Sequence, residues 1–431
     1  MNRLVSAVAI CLLALASVAL AQQPKQDRTT RELWTADRQQ ARQAYEKKDW
    51  TAYRDAMLQY HKDFPGSSHA LKDLAMAEAQ LGDDDSALKW MQQYVDLGLV
   101  LDLQKPGLAN LRVKGKLDAI EKRLNENSRS VSQSQPVFKL NAADLVAEDI
   151  AYDPGTRQFF LSSVRQRKIL RCDLAGKCSD FVTRDSMPPL WGVFALGVDA
   201  KRKVLWATTA SMLPEVDHQK GDDGKSALLK VDLGTGKLLR RYDPQEGAQH
   251  AMGDMTVARN GNVFVSDGVS GDVFTVNHDR DKLELLVPTG TFLSPQTPAL
   301  SDDEKILFVP DYPAGIAMVN LADHSIQWLE ASAALDGTDG LYYKDRWLLA
   351  VQNGVEPERL ARFHLNHEMK VDRSEVLESG SSGLGDPTHG VWVGDDFYFI
   401  ANSGWDRVQD DGTIKPGEAA EIRKVNIHQA N

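Results

Sequence analysis

FFLSS (159–163), LWATT (205–209), VFVSD (263–267), LFVPD (307–311), LLAVQN (348–353) and YFIAN (398–402) are one pattern written six times. Each is a short apolar run with aromatic or β-branched residues, closed by a polar side chain, which is the composition of a strand. The closing residues Ser163, Thr209, Asp267, Asp311, Asn353 and Asn402 lie 46, 58, 44, 42 and 49 residues apart. Turn-forming pairs such as Pro154-Gly155, Asn260-Gly261 and Gly394-Asp395 stand before several of the runs, so each run is the second strand of a hairpin. Further strands follow, as at 227–231 and 273–276. Six units of about 40 to 50 residues, each with room for four strands, predict a six-bladed β-propeller over 137–431. The last unit has three evident strands, at 389–393, 397–402 and 421–427, and 137–140 is placed to add the fourth. Such a join leaves no open edge in the ring.

Upstream of the ring the period changes to that of a helix. Ala44, Tyr45, Ala56, Tyr60 and Phe64 fall at helical spacing, Pro65-Gly66 interrupts, and Leu74, Ala75, Leu81, Ala87, Met91 and Tyr94 resume it. Ala44 and Ala56 recur as Ala75 and Ala87. This resembles tetratricopeptide repeats, which keep small residues where paired helices cross. The segment 28–127 is therefore expected to be a short helical-repeat domain, its third helical stretch at 116–127 capping two repeats. Such repeats commonly bind protein partners. The polar stretch SRSVSQSQP (128–136) reads as a linker, across which few contacts are expected.

The 431 residues carry a net charge of −11. That balance argues against a nucleic-acid partner, which needs a basic face. Arg3, the apolar run 8–20 and the small residues Ala19 and Ala21 read as an export signal over 1–21. The run is too short to span a bilayer, so no membrane insertion is expected and the mature protein is expected to be periplasmic or secreted. Two cysteines then remain, Cys172 and Cys178, around a turn at Ala175-Gly176. A disulfide stapling a hairpin and a pair of reduced thiols are both compatible with that spacing.

In a propeller the inner strands surround a central tunnel, and residues far apart in sequence meet at its mouth. The six inner strands open at Glu148, Phe194, Gly253, Gln296, Asp339 and His389. Carboxylates, an amide and an imidazole at converging positions suit a divalent cation, and oxygen donors favour Ca²⁺. Asp254, next to Gly253, adds a further carboxylate. Asp267, Asp311, Asn353 and Asn402 repeat from blade to blade, which fits a structural role accepting turn N–H groups. Trp191, Trp392 and Trp405 are candidates for the mouth, although such tryptophans mostly pack between blades. Two connections, 211–226 and 404–419, are longer than a hairpin needs, and long loops are often lids or binding edges.

EDIAYDP (148–154), PQTPALSDD (295–303) and TDGLYY (338–343) resemble the motifs that open inner strands in the regucalcin/gluconolactonase family. The resemblance covers about 137–427. It implies a six-bladed propeller with a divalent cation bound at Glu148 and Asp339, and a lactone-hydrolysing activity. Gln296 stands where the family usually has Asn. Gly253 stands where another Asn is common, beside Asp254. The arginine that some members use for a sugar acid has no counterpart, since Ala251 and Met252 occupy that stretch. The implied metal ligands are Glu148, Gln296, Asp339 and Asp254, with Asp339 as general base by analogy. His389 or His250 could take that role, because histidine titrates near neutral pH. The expected function is hydrolysis of a small-molecule lactone or related ester. The alternative is a non-enzymatic scaffold in which the ring and the helical repeats bind partners.

Overall fold

The computed structural model describes residues 29–427 apart from 106–107, 110, 112–116 and 246. The expected export signal at 1–21 lies outside the described residues. Five helices come first among those described: α1 (Thr30–Glu46), α2 (Trp50–Asp63), α3 (Ser68–Leu81), α4 (Asp84–Asp96) and α5 (Asp118–Asn127). Local chemistry sets their ends. Thr29 and Glu32 form a reciprocal capping box on α1. Asp49 and Asp83 accept backbone N–H groups at the starts of α2 and α4. Ala44 and Ala56 are buried in one apolar cluster, Ala75 and Ala87 in the next. None of the described helices is long and apolar enough to cross a membrane.

The rest is a ring of six antiparallel sheets. The strands β1 (Val131–Ser132) and β2 (Gln135–Lys139) precede the first complete blade. Blade 1 holds β3 (Ala147–Asp153), β4 (Gln158–Ser163), β5 (Lys168–Cys172) and β6 (Cys178–Thr183). Blade 2 holds β7 (Gly192–Asp199), β8 (Val204–Ala210), β9 (Ser226–Asp232) and β10 (Leu238–Tyr242). Blade 3 holds β11 (Met252–Val257), β12 (Val263–Asp267), β13 (Val273–Asn277) and β14 (Lys282–Leu285). Blade 4 holds β15 (Ala299–Leu300), β16 (Ile306–Asp311), β17 (Gly315–Asn320) and β18 (Ile326–Trp328). Blade 5 holds β19 (Thr338–Lys344), β20 (Trp347–Gln352), β21 (Arg359–Leu365) and β22 (Val371–Ser379), with β1 added outside β22. Blade 6 holds β23 (Gly390–Val393), β24 (Asp396–Ile400) and β25 (Glu421–Asn426), and β2 completes it beside β25.

The six apolar runs are continuous because both faces of each sheet are covered by neighbouring blades. In β4, Phe159 and Leu161 enter the cluster shared with blade 6, while Phe160 enters the one shared with blade 2. The same alternation recurs around the ring. Cys172 and Cys178 face each other across β5 and β6 and are joined as a disulfide.

The stretch 128–136 departs from the expectation of a free linker. Val131 and Ser132 pair with β22, and β2 already begins at Gln135. The buried Glu378 carboxylate accepts the amides of Gln133 (3.1 Å) and Ser134 (3.0 Å) and the Ser132 hydroxyl (3.1 Å). A polar composition hides this, because the stretch contributes hydrogen bonds and little apolar surface.

Contacts between helices and ring are extensive. Leu293 and Ala314 of blade 4 share a core with α1–α3, and Ala334 and Val355 of blade 5 share one with α3–α5. Ser68 donates its amide and its hydroxyl to Asp336 Oδ2, each at 2.8 Å. Val100 N donates to Glu356 O at 2.8 Å. At Gly66 the chain passes so close to the Ala314 carbonyl that any side chain would strike it. These ring residues lie in connections leading into inner strands or joining second to third strands. Both kinds of connection sit at the end of the ring where the inner strands open. The helices therefore cover part of the tunnel-mouth face.

Candidate functional site

Glu148 and Asp339 sit where regular pairing fails. The β3–β4 register shifts between Ala147 and Ile150, and the β19–β20 register shifts between Thr338 and Gly340. Matching shifts fall at Val193/Leu196 and at Met252/Asp254. A bulge releases a residue from the ladder and re-aims its side chain, here toward the tunnel mouth. The bulge amides are satisfied in turn: Asp149 accepts Ile150 N at 2.7 Å and Leu196 N of blade 2 at 2.6 Å. Asp149 thus braces two blades.

Carboxylate oxygens of Glu148 and Asp339 and a ring nitrogen of His389 lie within 4.8 Å of one another. His389 Nδ1 lies 2.8 Å from the Glu148 carbonyl oxygen, and Nε2 lies 2.7 Å from Asp254 Oδ1. Both ring nitrogens face acceptors, so the ring donates from both as an imidazolium. Burial alone would lower the His389 pKa. The hydrogen bond to Asp254 and the charges of Asp339, Asp254 and Asp149 outweigh it and raise the pKa well above the ordinary value. Burial raises Glu148 well above its usual range, and Asp339 and Asp254 add to this while His389 and Trp405 oppose it. Asp339 is pushed up to about 6, by burial first and then by the charge of Asp254.

The sequence-predicted residues divide clearly. Glu148, Asp254, Asp339 and His389 converge. Gln296 turns its amide nitrogen to Ser294, donating to the carbonyl (3.1 Å) and hydroxyl (3.0 Å). Its neighbour Thr297 reaches the cluster instead, donating to Asp254 Oδ1 at 2.6 Å. His250 is bound to Asp267 at 2.7 Å and is not part of the group. Asp267 and Asp311 accept loop amides as expected, and Asn402 accepts Glu421 N. Asn353 is different: Nδ2 donates to Asp339 Oδ2 at 2.8 Å, and Oδ1 accepts from Tyr312 at 2.9 Å. Asn353 therefore orients a candidate ligand.

Trp405 also belongs to the mouth. Its indole N–H donates to Glu148 Oε2, and its ring stacks on Phe194 with centroids 6.4 Å apart. Trp392 packs with the blade 5–6 core, and Trp191 with the blade 1–2 core. The Thr388 hydroxyl, next to His389, is buried without a partner among the described residues. Unpaired buried hydroxyls are usually satisfied by an ordered water or a ligand.

These donors fit a divalent cation. Glu148, Asp254 and Asp339 bring three carboxylates around one imidazolium, so full ionisation leaves negative charge in excess. A bound cation relieves that repulsion. Carboxylate oxygens suit Ca²⁺ or Mg²⁺.

No protein-family model and no curated protein matches the chain. Solved structures do match, at low identity. A gluconolactonase from Xanthomonas campestris is 14% identical, with a TM-score of 0.47 over 69% of this chain and 99% of that one. Regucalcin from Agrobacterium tumefaciens, described as a calcium-binding protein, is 13% identical, with a TM-score of 0.48 over 68% and 93%. The PQQ-bound aldose sugar dehydrogenase from Streptomyces coelicolor is 14% identical, with a TM-score of 0.47 over 69% and 98%. At such identity the likeness is one of fold.

Proposed function

We propose that the chain is an exported hydrolase of a lactone or related ester, working with a divalent cation held by Glu148, Asp339 and Asp254. The observation that carries this reading is the buried convergence of these carboxylates on His389. When bound, the cation polarises the substrate carbonyl and stabilises the charge that forms on its oxygen. The side chains do the rest. Asn353 holds Asp339 Oδ2, leaving Oδ1 to take the proton from an attacking water. His389 bridges the Glu148 carbonyl and Asp254, so it sets the spacing of the donors across the tunnel and is a positioning residue. Thr297 donates to the same Asp254 oxygen, Oδ1, that His389 holds.

The test is metal analysis of the purified protein together with a screen of lactones and esters, with and without chelator. Activity that needs metal and is lost in Asp339→Asn and Glu148→Gln supports the reading. Metal-free protein with no hydrolysis of any lactone or ester sinks it.

A further inference from the structure

Glu148, Asp339, Asp254 and His389 are 9%, 8%, 5% and 1% exposed. A substrate therefore reaches them only if a cover moves. Two covers lie over the mouth. The helices are fixed by buried contacts, Asp336 with Ser68 and two shared apolar cores. The other cover is the pair of long loops, 211–226 from blade 2 and 404–419 from blade 6. They meet where Leu213 packs on Gly412. Arg165 ties them from below, donating to Pro214 O (2.9 Å) and Gly412 O (2.8 Å). Gly404, with φ +92°, turns the chain immediately before Trp405, a conformation that glycine adopts without strain.

We propose that these loops are a two-part roof that parts to admit substrate, and that the surface beneath selects an apolar substituent. The substrate class rests on the hydrolase reading above. Trp405, Val408 and Ile414 of the roof pack on Val146, Val164 and Phe194. Parting the roof frees Glu148 Oε2 from the Trp405 indole and uncovers this apolar wall beside the carboxylates. Such a wall offers nothing to the hydroxyls of a sugar lactone and leaves them unpaired. It suits a lactone or ester with an alkyl or aryl chain.

Two changes move the roof in opposite directions. A Cβ built on Gly412 lies 3.6 Å from Leu213 Cβ, within disulfide reach, so Leu213→Cys/Gly412→Cys should staple the loops when oxidised; Gly412 has φ +79°, so the reduced double variant, which carries the same backbone strain, is the reference. Arg165→Ala should loosen them. Tb³⁺ replaces the natural ion as probe, its luminescence excited through tryptophan and its association followed by stopped flow. Oxidation of the cysteine pair should slow association by at least about tenfold, reduction should restore it, and Arg165→Ala should speed it. Wild type taken through the same redox cycle is the control. Deuterium uptake of 404–419 reads opening in the same samples without any ion, and it should fall on oxidation. Equal uptake and equal rates in the two redox states overturn the roof. They would place access at the opposite end of the tunnel, where a cavity of about 260 Å³ is lined by Met255, Leu341 and Trp392. Uptake that falls while Tb³⁺ never binds overturns the cation reading and leaves the roof standing. For the substrate class, binding of alkyl γ-lactones and glucono-δ-lactone to Asp339→Asn is measured by thermal shift, without need of turnover. Affinity should rise about threefold to fourfold per methylene, and Phe194→Ala should flatten that series. Tighter binding of glucono-δ-lactone overturns the apolar assignment.

Discussion

Replacing Asp336 with asparagine should stabilise the protein at neutral pH and leave it unchanged in acid. Asp336 is fully buried, and its Oδ2 holds both the amide and the hydroxyl of Ser68 at the start of α3. Its Oδ1 has no partner among the described residues. Burial pushes its pKa from 3.8 to about 6, although the Ser68 bonds pull the other way. A shift of about 2 units corresponds to about 3 kcal/mol, taken as an upper bound. The sign follows from the direction. The folded protein binds the proton more tightly than the unfolded chain, so this stabilisation is complete below about pH 4 and is lost as pH rises through about 6. Asparagine is neutral throughout and keeps an oxygen for Ser68. Asp336→Asn should therefore match wild type near pH 4 and exceed it by up to about 3 kcal/mol near pH 7.5. Asp336→Ala strands two buried donors and should cost about 2 to 4 kcal/mol near pH 4. Urea midpoints at the two pH values, followed by the helical circular dichroism signal, measure both. If the difference between Asp336→Asn and wild type is the same at both pH values, Asp336 does not carry a strained charge and the reasoning is refuted.

Ca²⁺ or another divalent ion should raise the melting temperature, by an amount equivalent to about 3 kcal/mol at a hundredfold excess over Kd. Glu148→Gln should nearly abolish that response and Asp339→Asn weaken it, and a response kept by both variants would move the ion elsewhere. Phe159→Ala removes a fully buried ring packed on Phe138, Tyr152 and Tyr398 and should cost about 3 to 5 kcal/mol in urea titration. Deleting the helices up to Asn127 bares Leu293, Ala314, Ala334 and Val355, so the remaining ring should aggregate, as read by light scattering. A monomeric ring of unchanged stability would show that the two shared cores contribute little. Deleting through Leu140 removes β2 as well and should abolish the cooperative thermal transition of the ring.

What could be read from the chain depended on periodicity. The second strands stood out because both faces of each blade are buried, which makes FFLSS or LFVPD apolar without interruption. The closing strand was legible because blade 6 lacked a partner for 421–427. Glu148, Asp339 and His389 were found by aligning the openings of the inner strands, where the tunnel imposes convergence. The same alignment chose Gln296 over Thr297. Regular pairing of β15 covers only Ala299 and Leu300, so no long alternating run fixes which neighbour faces inward, and a one-residue slip reverses the side. Asn353 was hidden by its company: Asp267 and Asp311 fill the equivalent place in other blades and do cap turns. Helix docking was illegible for another reason. Leu293, Ala314 and Val355 lie in connections, where apolar residues follow no period, and they meet helices more than two hundred residues earlier in the chain.

The pairing of β2 with β25 bears on biosynthesis. Blades 1 to 5 draw their four ring strands from consecutive chain and can form in turn, in chain order. Blade 6 cannot, because β25 stands between β24 and β2, and β2 waits through the synthesis of every other blade. Until then the strand Gln135–Lys139 has no partner, and blades 1 and 5 each keep one flank uncovered. The nascent chain must carry those surfaces, with Phe159 on one and Val351 on the other, until the last strand arrives. Closure between distant segments is slow compared with local hairpin formation, so this interval is when the chain most needs a chaperone.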